Sequence, residues 1–478
     1  MTNYPKVAQL RTVERFLQRV EQLDCLIPIE EKLLSAQESS PLAESLMMGK
    51  LRIGNRWVIH PMEGWDANRD GSPSPLTLRR WRNFGSSGAK WIWGGEAAAV
   101  RPDGRANPHQ TMAIASNRSG LQQLLTTLTE AHRERMGACD DLVVGLQLTH
   151  SGRFCKPNDN KRWEPRIMYH HPILDEKYGI DSQNSAIVWT DAQLDDLIGD
   201  YVRAAKLAAE LGYHFVDVKA CHGYLLHESL SAFSRPGRYG GDYNGRTLLL
   251  RSIIQAVKQE VPGLEIGVRL SLCDMPPFRQ GDEHGEPVDY THCLPYRFAF
   301  GCNPEQPTEL SMQEPLRLLQ DLKSLDVTAF NITLGSPYYN PHLQRPAIFP
   351  PSDGYQPPED PLVGVARHLK LCREVRAAVP GVPIVGSGYT YLQEFLPLVA
   401  QATVRQGWID AVGLGRMVLS YPEMPADSLA GKQPSRKLIC RTFSECTTAP
   451  RQGRISGCYP LDPFYKSGEA EQMSPSQA

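Results

Sequence analysis

The sequence predicts a (β/α)8 barrel with long loops after strands three and five and an N-terminal helical extension. Three observations carry this. Eight short apolar, β-branched runs recur along the chain, and helical patterns separate them. No Gly-x-Gly-x-x-Gly follows an early strand, which argues against a doubly wound sheet. The 478 residues are long for one domain, but barrels reach such lengths.

In chain order, residues 1–50 read as the extension. Val7, Leu10, Val13, Phe16, Leu17 and Val20 recur at helical spacing over 7–24, opposite a charged face. Residues 51–62 read as a hairpin followed by the first barrel strand, 57–61. The remaining strands are predicted at 90–94, 143–149, 215–219, 265–271, 328–333, 383–387 and 410–415. Helices are predicted at 76–84, 121–135, 191–211, 246–259, 314–325, 362–378 and 392–400. For the third of these, Thr190 is the N-cap and Gly212 the stop. The barrel thus spans 51–432.

Two interruptions, 152–189 and 274–312, leave the C-terminal ends of strands, where barrel active sites lie. The first holds Arg153, Trp163, Arg166, Tyr169, His170, His171 and Tyr178 and reads as a substrate cover.

The net charge of −2 gives no general attraction for nucleic acid. No apolar run is long enough to span a bilayer, and the first residues lack the core of a secretory signal. The eleven cysteines are scattered and odd in number, unlike a disulfide framework. A cytoplasmic setting and a possible homo-oligomer are expected.

The most informative stretch begins at Phe215. An apolar strand breaks at once into Lys219, Cys221, His222, Gly223 and Tyr224. Groups able to move protons or stabilise negative charge thus stand at a strand end. With the continuation through His227-Glu228-Ser229, Tyr239-Gly240-Gly241 and Asn244-Gly245-Arg246, this passage resembles the old yellow enzyme family, the flavin-dependent ene reductases and their relatives. Further motifs in order extend the likeness over about 42–430. They are the opening strand ending in Pro61-Met62, Gly94-Gly95-Glu96-Ala97, and Gln147-Leu148-Thr149-His150-Ser151-Gly152-Arg153.

The resemblance implies non-covalently bound FMN, reduced by NADH or NADPH, which then passes hydride to an activated alkene while Tyr224 supplies the proton. Pro61, Met62 and Ala97 would wall the ring, and Gln147 would read its edge. Arg269 is a cation in a strand suited to burial, so it needs a negative partner. By resemblance it faces the N1–O2 edge. Gly386-Ser387-Gly388 and Gly415-Arg416, after strands seven and eight, form the usual barrel phosphate site.

There are departures. Lys219 stands where relatives carry a first His or similar donor, beside His222. Glu63 stands where they often place Cys or Thr near the flavin, and Trp65 where an aromatic residue borders the substrate. Lys219 is expected to favour anionic acceptors. Alternatives are a Schiff-base lyase using Lys219, an oxidative relative such as an amine dehydrogenase or demethylase, and a flavin-binding protein without turnover.

In the tail, 433–478, Cys446 and Cys458 keep the spacing of an iron–sulfur segment, but Ile439 and Thr442 occupy the other ligand positions and Cys440 is out of register. No metal is expected there, and no further nucleotide-binding domain. Residues 466–478 read as disordered.

Overall fold

The computed structural model describes residues 4–473. A short antiparallel hairpin, β1 (Leu46–Met48) and β2 (Leu51–Ile53), precedes the barrel. It starts earlier than the sequence suggested, because the turn falls at Gly49-Lys50, where Gly49 takes a φ of 55°. The staves follow as β3 (Trp57–Ile59), β4 (Trp91–Ile92) with β5 (Ala97–Ala99), β6 (Val143–Thr149), β7 (Phe215–Ala220) and β8 (Glu265–Ser271). After a two-stranded excursion, β9 (Phe278–Gln280) with β10 (Gly285–Pro287), come β11 (Ala329–Thr333), β12 (Ile384–Gly386) and β13 (Ala411–Leu414). All stave pairings are parallel, and β13 closes onto β3 through Val412↔Trp57 to Leu414↔Ile59.

The second stave is broken in two. Both pieces pair with β6, Ile92 opposite Val144 and Ala97 opposite Gln147. Gly94 passes so close to β6 that a Cβ there would lie 2.9 Å from the Gln147 amide nitrogen. The break therefore sets Ala97 beside Gln147 at the mouth.

The N-terminal end of the barrel is filled by aromatic side chains. The rings of Trp91 and Trp93 lie 5.1 Å apart, tilted at 45°, and Trp93 meets Phe215 edge-on at 5.3 Å. Leu46, Met48 and Ile53 of the hairpin close over them. Each such aromatic removes roughly 150–250 Å2 from water, so truncating Trp93 to Ala would cost about 3–5 kcal/mol.

Outside the staves, the helix Asp191–Leu211 begins at the expected N-cap Thr190, which forms a capping box with Gln193, and ends at the expected Gly212 with a φ of 88°. The region expected as helix 392–400 differs. A 3-10 segment, Tyr389–Phe395, kinks at Gln393, and a helix restarts at Leu396–Arg405 with Pro397 in its first turn. The N-terminal pattern also splits. Arg11 takes a positive φ, Thr12 caps a helix at Val13–Gln22, and Leu17 is exposed rather than packed.

The tail is more ordered than its composition suggested. Residues 466–473 include a short helix, Glu469–Gln472, whose Ala470 is buried with Leu76 and Tyr465. Arg79 holds this part by two hydrogen bonds to Asp462, 2.9 and 3.0 Å. Residues 474–478 of the segment expected to be disordered lie outside the described residues. Among the described residues, no helix is long and apolar enough to cross a membrane.

Candidate active site

A cavity of about 280 Å3 opens at the C-terminal ends of the staves. Every residue read as catalytic, cofactor-binding or substrate-binding contributes to its wall except Gly386, which ends β12 just beneath it, whereas no residue of 152–189, read as a substrate cover, lines it.

The chain leaving β3 forms one side with Pro61, Met62, Glu63 and Trp65. This turn is held from behind. Arg80 donates to the Met62 carbonyl (3.1 Å), to Asp66 (2.8 Å) and to Glu96 (2.7 Å), and Glu96 accepts from the Gly64 amide (3.3 Å). Burial pushes the Glu96 carboxyl up, against the pull of Arg80.

The next side is polar and fully buried. Gln147 donates through Nε2 to Asp217 Oδ2 (2.6 Å), and Asp217 Oδ1 accepts from the Arg269 backbone amide (2.7 Å). Asp217, on β7, thereby fixes the Gln147 amide and ties β7 to β8. Burial raises its carboxyl to about 6. The Arg269 guanidinium is buried at the cavity wall, and its Nε has no hydrogen-bond partner. Burial pulls its pKa down, with Cys221 and Asp217 opposing.

Above this floor stand Lys219, His222 and Tyr224. Lys219 Nζ lies 2.5 Å from Glu63 Oε1, and Tyr224 donates its hydroxyl to Glu63 Oε2 (2.7 Å). Trp65 donates its indole N–H to the same oxygen (3.2 Å). Lys219 Nζ also sits 3.8 Å from the centre of the Tyr224 ring. Burial, then the Glu63 charge, raises the Tyr224 phenol well above its usual value. His222 takes a φ of 66°, which turns the chain sharply after β7. Burial, with Arg269 and Lys219 adding to it, holds its imidazole neutral.

At the far end lie Ser387, Gly388, Gly415 and Arg416. A Cβ on Gly415 would meet nothing closer than Met62 Sδ at 3.9 Å, so its backbone faces open space. Ser387 Oγ is 3.1 Å from His60 Nε2, and burial holds His60 neutral.

Sequence reasoning missed three contributors: the helix Pro75–Gly85, through Arg79 and Arg80, the tail, through Thr447 and Arg451, and the chain after β11. The chain after β11 brings Tyr338, Gln344 and Arg345 into the wall. Tyr338 lies 3.0 Å from the Tyr224 hydroxyl, and Gln344 Nε2 is 3.4 Å from His222 Nε2. The available signal was aromatic and amide density in a non-helical stretch leaving a strand end. By contrast, no residue of 274–312 lines the cavity. In the earlier interruption, Arg153 is a buried framework group that pairs with Asp175 and Glu228. Trp163 and Tyr178 line an outer recess that shares Trp65, Tyr338 and Arg451 with the cavity.

Among the described residues, no group of three or more His, Cys, Asp or Glu could hold a metal ion, and Cys440, Cys446 and Cys458 are free thiols.

Comparison with known proteins places this geometry. An NADPH dehydrogenase of Bacillus subtilis (strain 168) is 30% identical over 230 residues, 47% of this chain and 61% of that protein. A putative 12-oxophytodienoate reductase 2 of Oryza sativa subsp. japonica is 26% identical over 247 residues, 50% of this chain and 61% of that one. The chain thus spans about three fifths of the length of these curated relatives. Among solved structures, an old yellow enzyme homologue from Zymomonas mobilis matches with a TM-score of 0.56 at 18% identity, covering 83% of this chain and 95% of that one. A 2-naphthoyl-CoA reductase complex matches with a TM-score of 0.65 at 16% identity, covering 92% of this chain and 59% of that one. These two likenesses concern the fold. The sequence profile described as the NADH:flavin oxidoreductase / NADH oxidase family matches residues 41–289, more than half of the chain, and the chain belongs to that family.

Proposed function

We propose that the protein is an FMN-dependent oxidoreductase that takes reducing equivalents from NADH or NADPH and delivers them to an activated alkene or similar small molecule. The observation that carries this is Arg269. It is a buried guanidinium at the cavity wall whose Nε lacks a hydrogen-bond partner, next to the fixed Gln147 amide. A buried cation of this kind is costly unless an anionic or electron-rich partner arrives. A flavin edge is such a partner, and the apolar Pro61, Met62 and Ala97 suit its ring. The open backbone at Gly415, with Arg416 beside it, suits its phosphate.

FMN, when bound, supplies the carrier of hydride between reductant and acceptor. The chain's own residues do the rest. Gln147 and Arg269 orient and charge-match the cofactor. Neutral His222 offers a hydrogen bond to an acceptor oxygen. Tyr224 holds the transferable proton, and Glu63 aims it. A carboxylate 2.7 Å away opposes charge on the tyrosine oxygen, while Lys219 over the ring favours it. Lys219 and Glu63 together are near neutral, so the anion preference expected from Lys219 by itself is cancelled.

Purified full-length protein is expected to be yellow, to bleach under NADH or NADPH without air, and to recover colour with an enone. Colourless protein that cannot be reconstituted with FMN would end this reading. Glu63 favours a second reading. A carboxylate already accepting the Tyr224 proton is placed to serve as a base, as an amine-oxidising flavoenzyme needs. Anaerobic bleaching by amines, without pyridine nucleotide, would select it. Bound flavin that responds to neither would leave a binding protein without turnover.

A further inference from the structure

The phosphate end of the cavity holds more positive charge than Arg416 supplies. Arg345, from the chain after β11, lines the same wall. Arg416 Nη2 donates to the Pro346 carbonyl (3.3 Å), so the two arginines are neighbours. Arg345 Nη1 donates to Thr447 Oγ1 (2.6 Å). Both guanidinium groups are thus held by neutral oxygens, and one nitrogen of each, Arg345 Nη2 and Arg416 Nη1, is buried without a partner. Burial, then the charges of Arg416 and Arg451, pulls the Arg345 pKa down. Two cations brought together in this way repel each other until an anion arrives.

We infer that Arg345 is a second phosphate-binding cation, which with Arg416 takes the phosphate of the bound mononucleotide. This rests on the flavin reading above. A phosphate monoester carries about −1.5 to −2 charge at neutral pH, so two guanidinium groups match it where one leaves a surplus. The same inference gives the tail a purpose. Its helix Glu445–Arg451 presents Thr447 to Arg345. Ser444 donates to the Phe349 carbonyl (2.7 Å), and Thr448 Oγ1 accepts from the Ser352 amide (3.1 Å). The segment that resembles a cluster-binding region therefore clasps the chain carrying Arg345, with Thr447 as a positioning residue.

Titration of full-length apoprotein with FMN and with riboflavin, which lacks the phosphate, tests this. In Arg345→Gln, FMN affinity is expected to fall about tenfold or more, while riboflavin affinity stays within about twofold. Arg345→Lys should recover part of the loss. Thr447→Val should lower FMN affinity by a smaller factor and spare riboflavin. Inorganic phosphate should compete with FMN in the unmodified protein and compete less in Arg345→Gln. Equal loss of both flavins in Arg345→Gln would make Arg345 a structural residue and overturn the inference. Unchanged FMN affinity with weakened reductant binding would overturn it too, by assigning the charge to the reductant's phosphates. An unmodified protein that binds neither flavin would overturn the flavin reading itself.

Discussion

Glu63 Oε1 lies 2.5 Å from Lys219 Nζ across the mouth of the barrel, and the other oxygen of the same carboxylate holds the Tyr224 hydroxyl at 2.7 Å. One carboxylate from the β3 end thereby sets both the charge and the proton position of groups at and just beyond the end of β7. Removing one member of a buried pair exposes the other's charge, which makes the pair testable.

Glu63→Gln should retain FMN and leave Lys219 as an unneutralised cation in the pocket. Binding of small carboxylates, read from the flavin spectrum, should tighten by about tenfold, equivalent to about 1.4 kcal/mol. Neutral ligands should change little. If carboxylate affinity does not rise, Lys219 does not face the ligand.

Lys219→Met with Glu63 intact should weaken anionic ligands more than neutral ones, because it leaves the Glu63 carboxylate as an uncompensated negative charge in the pocket. Global stability should fall by about 3–5 kcal/mol, the cost of leaving a buried carboxylate unpaired, and should be regained in part in Lys219→Met/Glu63→Gln. Urea unfolding of the single and double variants measures both effects.

Tyr224→Phe should leave FMN affinity within about twofold and slow reoxidation of the flavin by an enone by about 10²-fold, the usual scale of a lost general acid. Stopped-flow traces of the two half-reactions separate the effects. Slower reduction by NAD(P)H with normal reoxidation would remove Tyr224 from the proton step.

Arg269→Gln should lower the flavin reduction potential by about 30 mV or more, one tenfold step for two electrons. A buried positive charge beside the ring favours its reduced form. Spectroelectrochemistry reads the potential directly, and an unchanged value would place the guanidinium elsewhere.

The chain after β11 should loosen in acid. His368 Nε2 bonds to the Leu343 carbonyl (2.9 Å), and burial lowers its pKa to about 4. Its unfolded value is near 6.5, so the unfolded state binds the proton first as pH falls. This contribution is whole above about pH 6.5 and is lost as pH drops towards 4, by at most about 3 kcal/mol. Urea unfolding between pH 7 and 4 should show the loss, and His368→Gln should remove the His368 share of it while other buried histidines, His60 and His222 among them, keep theirs.

The sequence by itself determined the order of the staves, most of the helices between them and the end of the barrel that carries the cavity. β6 and β8 fall where continuous apolar, β-branched runs place them, because burial on both faces leaves a continuous local signature. Lys219, His222, Tyr224 and Arg269 were legible for a related reason, since a polar group at the end of an apolar strand stands out in one dimension. Only the tertiary structure decided their partners. Glu63 and Lys219 are 156 residues apart, and they meet because barrel closure sets the ends of β3 and β7 across one mouth. Arg345 and Arg416 meet at one end of the cavity, where the tail folds back and offers Thr447 to Arg345. No local periodicity encodes either encounter. Side-chain partners across a barrel follow from the register of its closure, which the whole chain sets together.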